Sequence, residues 1–211
     1  MTTPKIVKHT PFIWQYLDIA SDREIELIRA TGDNHFINNK AIDSCPRDKG
    51  CNNNQYDLTL LARKHPDANI RNELKPIDHL VDQIFVRAHL HYFKHNIPFS
   101  YSLMSTMTTG FNLNFWYRHY ETKDDFAPHV DLDPKRRFIM AAMLYLNDDF
   151  TGGTTDFPMD KLRVKPIKNS ILISPAGPYF IHTGSKLLEG EKHIMWSGYE
   201  ILTPQVRDHK F

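Results

Sequence analysis

The feature that most limits how this chain can fold is a change of hydrophobic period near residue 100. Beyond it, apolar residues alternate or run in short blocks: Phe111-Asn112-Leu113-Asn114-Phe115, Phe138 to Leu146, Leu162-Arg163-Val164, Ile171-Leu172-Ile173 and His193 to Leu202. Gly, Pro and Asp interrupt these blocks, and Gly152-Gly153 is the plainest turn signal. Successive residues of a strand face opposite ways, so such segments predict an antiparallel sandwich or barrel. Before residue 100 the period is helical. Ser21-Asp22-Arg23-Glu24 is a capping-box pattern ahead of Ile25, Leu27 and Ile28, and Gly32 is expected to end that helix. A longer helix is expected from Pro76, with Ile77, Leu80, Val81, Ile84, Ala88 and Tyr92 on one face and Pro98 as its stop. Between the two, residues 42–72 are rich in Asn, Asp, Pro and Arg, with one apolar patch at Leu58 to Leu61. So long a connection is expected to be a binding or lid segment, with a disordered excursion as the alternative. The fold class is therefore mainly β with N-terminal helices. One domain over 1–211 is expected, with helical support and the lid in 1–99 and the strand core in 100–204.

Composition excludes more than it identifies. With 41% hydrophobic residues the chain can bury a core without disulfide staples. Lys+Arg 26 against Asp+Glu 25 leaves a net charge of +1, which argues against a nucleic-acid partner. No apolar run approaches the roughly 18 residues of a membrane span. Met1 to His9 lacks the apolar core of a signal peptide, so a cytoplasmic location is expected. Cys45 and Cys51 form a lone C-x5-C pair without the further ligands of a zinc site; reduced thiols are expected, with a loop disulfide as the alternative. The histidine count, 12, is high for this length.

Three of those features combine into chemistry. In Phe126-Ala127-Pro128-His129-Val130-Asp131, residues two apart on a strand share a face, so His129 and Asp131 project together. An imidazole and a carboxylate side by side are two thirds of the 2-His-1-carboxylate triad that holds non-haem Fe(II) and leaves positions open. Alone, H-x-D arises often by chance. Downstream, Pro175-Ala176-Gly177-Pro178-Tyr179-Phe180-Ile181-His182 brings a second histidine from an apolar segment, and Gly190-Glu191-Lys192 places a cation at the start of the last strand. Such a cation can pair with the far carboxylate of a dicarboxylic cosubstrate whose other end chelates the metal. Each of these residues by itself has an ordinary explanation, as a surface pair, a core histidine or a solvated lysine. Their order and spacing together do not.

Over residues 111 to 202 the sequence resembles the Fe(II)/2-oxoglutarate-dependent dioxygenases, in the prolyl 4-hydroxylase-like branch. The resemblance runs from Tyr120 and Phe126 through Pro128-His129-Val130-Asp131, Tyr145-Leu146-Asn147, Gly152-Gly153 with Phe157, and Val164-Lys165-Pro166. It ends at His182 and Gly190-Glu191-Lys192, and the capped helix from Ser21 looks like the family's opening helix. It implies a double-stranded β-helix (a jelly-roll, cupin-like barrel) buttressed by helices. It also implies iron ligation by His129, Asp131 and His182. Lys192 would bind the distal carboxylate of 2-oxoglutarate, with Tyr145 as hydrogen-bond partner and Tyr120 assisting. The cofactors implied are Fe(II), 2-oxoglutarate and O2, with ascorbate as reductant. The reaction implied is C–H hydroxylation with release of succinate and CO2, most readily on a prolyl residue of a peptide or protein. The intact Asp131 argues against halogenation, since related halogenases carry a small residue there. One departure stands out. Many relatives have a large aromatic six residues after the basic residue, where this chain has Gly198, with Trp196 two residues early. An enlarged pocket near the iron is expected from that exchange.

Other readings remain open at this stage. A free amino acid or other small molecule is the alternative substrate, and a metal-dependent cupin-like binding module is the non-enzymatic one. Asp133 shares a face with Asp131, but Pro134 is expected to end the strand. His193 and His119 adjoin Lys192 and Tyr120 and should face away from the cavity. His91 and His95 are spaced i, i+4 on the long helix without an intervening carboxylate, and Lys135-Arg136-Arg137 reads as a solvated turn.

Overall fold

The computed structural model describes residues 5–38, 54–96, 111–132 and 138–201. In chain order the elements are β1 (Lys5–Lys8), β2 (Trp14–Leu17), α1 (Asp22–Asn38), β3 (Asn54–Asp57), α2 (Leu58–Lys64), α3 (Ala68–His95), β4 (Phe111–Tyr120), β5 (Phe126–His129) and β6 (Phe138–Tyr145). They continue with β7 (Thr151–Gly152), β8 (Thr155–Phe157), β9 (Leu162–Val164), β10 (Ser170–Pro175), β11 (His182–Gly184), β12 (Leu187–Glu189) and β13 (Lys192–Ile201). The strands form a seven-stranded sheet in the order β1-β2-β10-β6-β13-β4-β3, a four-stranded sheet β5-β11-β8-β9, and the pair β12-β7. Their pairing is antiparallel throughout.

Alternation along the large sheet divides the core. On one face Tyr117, Met195, Leu144 and Ile171 pack with Val81, Ile84, Phe85 and Tyr92 of α3. On the other, Trp116, Tyr120, Tyr145, Ile194 and Trp196 pack with Phe157 and Val164 of the smaller sheet. The site lies within this second layer.

The N-terminal third departs from expectation in four places. β1, β2 and β3 belong to the large sheet, where helices and a lid were expected. These strands are short; β1 pairs with β2 beside it, and the partners that draw them into the sheet lie far away in sequence: Tyr16 pairs with Ile171 and Tyr56 with Tyr117. Residues 54–72 therefore form an edge strand, α2 and the start of α3, with Tyr56, Leu58 and Leu61 in the helix-side core, not a lid; residues 42–53, with Cys45 and Cys51, lie outside the described residues. The long helix starts at Ala68, because Asp67 caps it by accepting from Asn69 N at 2.8 Å and Leu74 is already fully buried; Pro76 sits inside it. It ends at His95, and Pro98 lies outside the described residues. The capping box of α1 forms as read, with Ser21 N donating to Glu24 Oε2 at 2.7 Å and Glu24 N to Ser21 Oγ at 3.2 Å. Gly32, however, does not stop α1. It is a contact residue: a Cβ there would lie 2.1 Å from Cε2 of the Tyr117 ring, so only glycine lets the helix sit on the sheet.

Gly32→Ala should thus destabilise the fold by about 1–3 kcal/mol through overpacking, more than the ~1 kcal/mol of helix propensity it gains. Gly177→Ala, with nothing within 4 Å of its Cβ, should be near neutral. Thermal denaturation of the two variants checks the contrast.

Candidate metal centre and its cavity

His129 is the last residue of β5 and His182 the first of β11, and the two are directly paired across the strands. Asp131 lies two residues past the end of β5, yet its carboxylate reaches the same point. His129 Nε2 is 3.5 Å from Asp131 Oδ1 and His182 Nε2 is 3.3 Å from Asp131 Oδ2. The two ring centroids are 4.3 Å apart at an angle of 56°. His182 and Asp131 are buried, and His129 is open on one side with 27% of its side chain exposed.

Backbone carbonyls set the protonation of both rings. His129 Nδ1 donates to Ala127 O at 2.8 Å and His182 Nδ1 to Phe180 O at 3.1 Å. Each Nε2 is then a bare lone pair aimed at a carboxylate. Burial alone would raise Asp131, but the positive charge that the His182 and His129 rings carry when protonated holds it below the ordinary carboxylate value. Burial pushes His182 down, with Asp131 opposing. Asp131 Oδ2 is buried without a hydrogen-bond partner. Two imidazole lone pairs and a carboxylate turned on one another repel unless a cation lies among them, and this donor set, open on one side, fits a divalent iron-type ion.

The large sheet supplies the rest of the cavity. Lys192 opens β13 opposite Tyr120 in register, and its ammonium is 5.4 and 5.5 Å from the Tyr120 and Tyr145 ring centroids. It is buried and donates to Gly153 O at 2.6 Å, a carbonyl offered by the Gly152-Gly153 turn, whose φ values of 82° and 62° require glycine-like backbone. Burial pushes Lys192 down to about 7, with Asp156 opposing and Arg118 adding to the effect. Tyr145 shares a hydrogen bond of 2.8 Å with Thr155, and burial pushes both phenols up, so they remain neutral. Asn147 fixes the approach to Lys192 by donating to Glu191 O and accepting from His193 N, each at 2.8 Å. This gives the Tyr145-Leu146-Asn147 motif a structural reason that its residue types alone do not reveal.

Gly198 does not enlarge the pocket. A Cβ there would lie 2.8 Å from the Phe138 ring, and Phe138 stands edge-on to Trp196 with centroids 5.8 Å apart. Phe138 fills from β6 the space that the relatives' aromatic would take from the last strand. The residue that sequence reasoning missed is Arg118, which lines the cavity with His129, His182 and Lys192. Its place two residues before Tyr120 on an alternating strand was the available signal.

A second His/carboxylate group lies on the opposite face, where His193 and His119 were expected to point. Their Nε2 atoms are 3.6 and 3.5 Å from Glu191 Oε2. The two rings are stacked at 11°, so their lone pairs lie in nearly parallel planes that cannot share one ion without rotation, unlike the 56° of the first pair. This group ties α1 to the sheet instead: Tyr117 donates to Asp33 Oδ1 at 2.5 Å, and His193 Nδ1 is 2.8 Å from the Tyr117 hydroxyl and 3.1 Å from Asp33 Oδ1. His91 and His95 stack with centroids 4.2 Å apart, and His91 meets the Tyr16 hydroxyl; they belong to no group of three metal-ligating residues among those described. Asp133, Pro134 and Lys135-Arg136-Arg137 lie outside the described residues.

Burial would raise Asp33, but hydrogen bonds from His193 and Tyr117 outweigh it and hold the carboxyl below its ordinary value. A depressed folded-state value means stability that is present above the unfolded value of about 3.9 and lost as pH falls through the folded one. Asp33→Asn should therefore lower the melting temperature at neutral pH, and the gap from the parent should close below about pH 4. Melting curves across pH test this.

No known family's sequence profile and no curated protein matches the chain. Solved structures do. A viral collagen prolyl hydroxylase from Paramecium Bursaria Chlorella virus-1, solved with 2-oxoglutarate, is 18% identical, with 91% of this chain and 97% of that one covered at a TM-score of 0.60. A Pseudomonas putida prolyl-4-hydroxylase is 13% identical over 89% and 91% of the two chains, with a TM-score of 0.61. A Trichoplax adhaerens prolyl hydroxylase, solved with a peptide of hypoxia inducible factor, is 12% identical over 91% and 84%, with a TM-score of 0.63. At such identities the likeness is one of architecture: helices on one face of a large antiparallel sheet and a smaller sheet on the other. The chain has the double-stranded β-helix fold of the prolyl 4-hydroxylase-like 2-oxoglutarate oxygenases.

Proposed function

We propose that the chain is an Fe(II)- and 2-oxoglutarate-dependent dioxygenase that hydroxylates a C–H bond, with a prolyl residue of a peptide or protein as the leading substrate. The observation that carries this is the buried convergence of the bare nitrogens of His129 and His182 on Asp131, open on one side. Bound iron would supply the oxygen chemistry, in which one atom of O2 enters the product as a hydroxyl and the other enters succinate as 2-oxoglutarate loses CO2. The protein's part is ligation and orientation. His129, Asp131 and His182 hold one face of the ion. Lys192, with the phenols of Tyr145 and Tyr120 around it, receives the far carboxylate of 2-oxoglutarate, whose desolvation would otherwise be costly. The apolar wall of Trp196, Ile194 and Phe126 keeps water from the reacting centre. Support for a peptide substrate comes from the neighbours that act on collagen or bind a peptide.

His129→Ala and Asp131→Ala should abolish succinate formation, and Asp131→Ala should also lose stoichiometric binding of Co(II), used as an iron surrogate. Tight Co(II) binding and full turnover in the Asp131→Ala protein would contradict the assignment. Stoichiometric 2-oxoglutarate binding without succinate under any substrate would instead favour a binding module.

Lys192 adds a pH test. The ammonium binds the carboxylate, and in the free protein it is lost above about pH 7. A bound carboxylate raises that value, so binding takes up a proton at higher pH. The apparent dissociation constant of 2-oxoglutarate should rise above neutrality by up to about tenfold per pH unit. Lys192→Arg should flatten the dependence, while Lys192→Ala raises the 2-oxoglutarate requirement at every pH. Calorimetric titration over about pH 6 to 9 measures both.

A further inference from the structure

We infer that the acceptor substrate carries a carboxylate close to the carbon that is hydroxylated, and that Arg118 is the residue that binds it.

Arg118 alternates with Trp116 and Tyr120 on β4, on the cavity side of the sheet. Its guanidinium is held between two rings, with Cζ 5.2 Å from the Phe126 centroid and 4.8 Å from that of Trp196. Its charge is felt at Tyr120, Asp131, His182 and Lys192. It has no carboxylate of its own among the described residues. Asp131 faces the two imidazoles, and Asp156 pairs with Arg163 at 3.0 Å. Arg118 Nε is buried without a hydrogen-bond partner.

Charge balance turns this into a statement about the substrate. Taking the cavity as an iron and 2-oxoglutarate site, on which this inference rests, the divalent ion, Asp131, protonated Lys192 and the dianionic cosubstrate cancel. Arg118 remains as one uncompensated cation, and a guanidinium cannot shed its proton to relieve that. Arg118 is half-buried with its Nε wholly covered, and a planar fork held between two rings is pre-organised for a carboxylate. Arg118 lines the same cavity as His129, His182 and Lys192, so 2-oxoglutarate and the reacting carbon of the acceptor would share the space beside it. The carboxylate that reaches Arg118 therefore belongs to the same small unit as the reacting carbon. Two sources have that chemistry: the α-carboxylate of a free amino acid or chain terminus, and the side chain of an acidic residue beside the target in a peptide.

The test pairs acids with their amides. The protein with Fe(II), ascorbate and 2-oxoglutarate is incubated with three pools: free and N-acetyl amino acids, the matching amides, and end-capped prolyl peptides with Glu or Gln beside the proline. Mass spectrometry reads +16 Da products and kinetics read KM. The expected result is product from carboxylate-bearing compounds, with the amide or Gln counterpart disfavoured by at least about tenfold. Free acids as the preferred pool identify the α-carboxylate, and Glu peptides identify the side chain. Arg118→Gln should erase the preference, its loss falling on the KM of the acid and not on that of 2-oxoglutarate, and Arg118→Lys should restore part of it. If Arg118→Gln fails to fold, the lysine variant and the acid-to-amide ratio of the parent still decide. Acid and amide used equally, products from amides or Gln peptides alone, or no product among the acids would overturn the inference. A preference that survives Arg118→Gln would do the same. Failure of the underlying site reads differently: then neither succinate nor metal binding is seen, with or without substrate.

Discussion

Two imidazoles and a carboxylate that present lone pairs to one another inside a protein form an arrangement held against its own electrostatics. Here the carbonyls of Ala127 and Phe180 take up the Nδ1 protons of His129 and His182, and the cross-strand pairing of β5 with β11 brings the bare nitrogens onto Asp131. A buried carboxylate oxygen without a hydrogen-bond partner marks the point of convergence. A divalent cation turns the repulsion into coordination, so the binding of an ion and the order of this end of the smaller sheet are one equilibrium.

The remainder of the fold positions a second charge relative to that point. The ion-facing residues come from the smaller sheet and Lys192 from the larger, and the layer between them, with Tyr120, Tyr145, Phe157 and Trp196, sets their separation. Lys192 is anchored from several directions: Gly153 accepts from its ammonium, Asn147 clasps the residues on either side of it, and the ladder with β4 fixes its register. Behind it, Asp33, Tyr117 and His193 fasten α1 to the opposite face. Helix packing and the buried Lys192 are thus linked through the first two residues of β13.

The second half of the chain is legible in its sequence because strand alternation and glycine turns are local signals. β9 falls on Leu162–Val164 as read, β4 and β10 run a few residues beyond the predicted segments, and β6 and β13 match theirs to within one residue. The grouping of His129, Asp131 and His182 is legible for another reason: residues two apart at a strand end share a face, and a second histidine opens the strand that pairs with it. The failures have physical causes too. β1, β2 and β3 are four-residue strands joined to the sheet through partners far along the chain, Ile171 for Tyr16 and Tyr117 for Tyr56, so no local pattern announces them. Gly32 and Pro76 carry helix-breaking propensities that are overridden, in one case by a Tyr117 ring packed against the helix and in the other by a cap nine residues upstream. Phe138 takes the space expected to be vacant above Gly198, a substitution in three dimensions that the linear distance from Lys192 cannot show. Arg118 was missed because a single arginine on a strand reads as an ordinary surface residue unless its shared face with Tyr120 is weighed.

The most direct test of the account is optical. Under anaerobic conditions, Fe(II) and 2-oxoglutarate are added to the protein and the visible spectrum is followed, since chelation of Fe(II) by a 2-oxoacid produces a charge-transfer absorption that neither component shows alone. The account predicts one equivalent of such a centre, absent in His182→Ala and decaying when oxygen is admitted. A protein that binds Fe(II) without the band at saturating 2-oxoglutarate, or a band unaffected by His182→Ala, would contradict it.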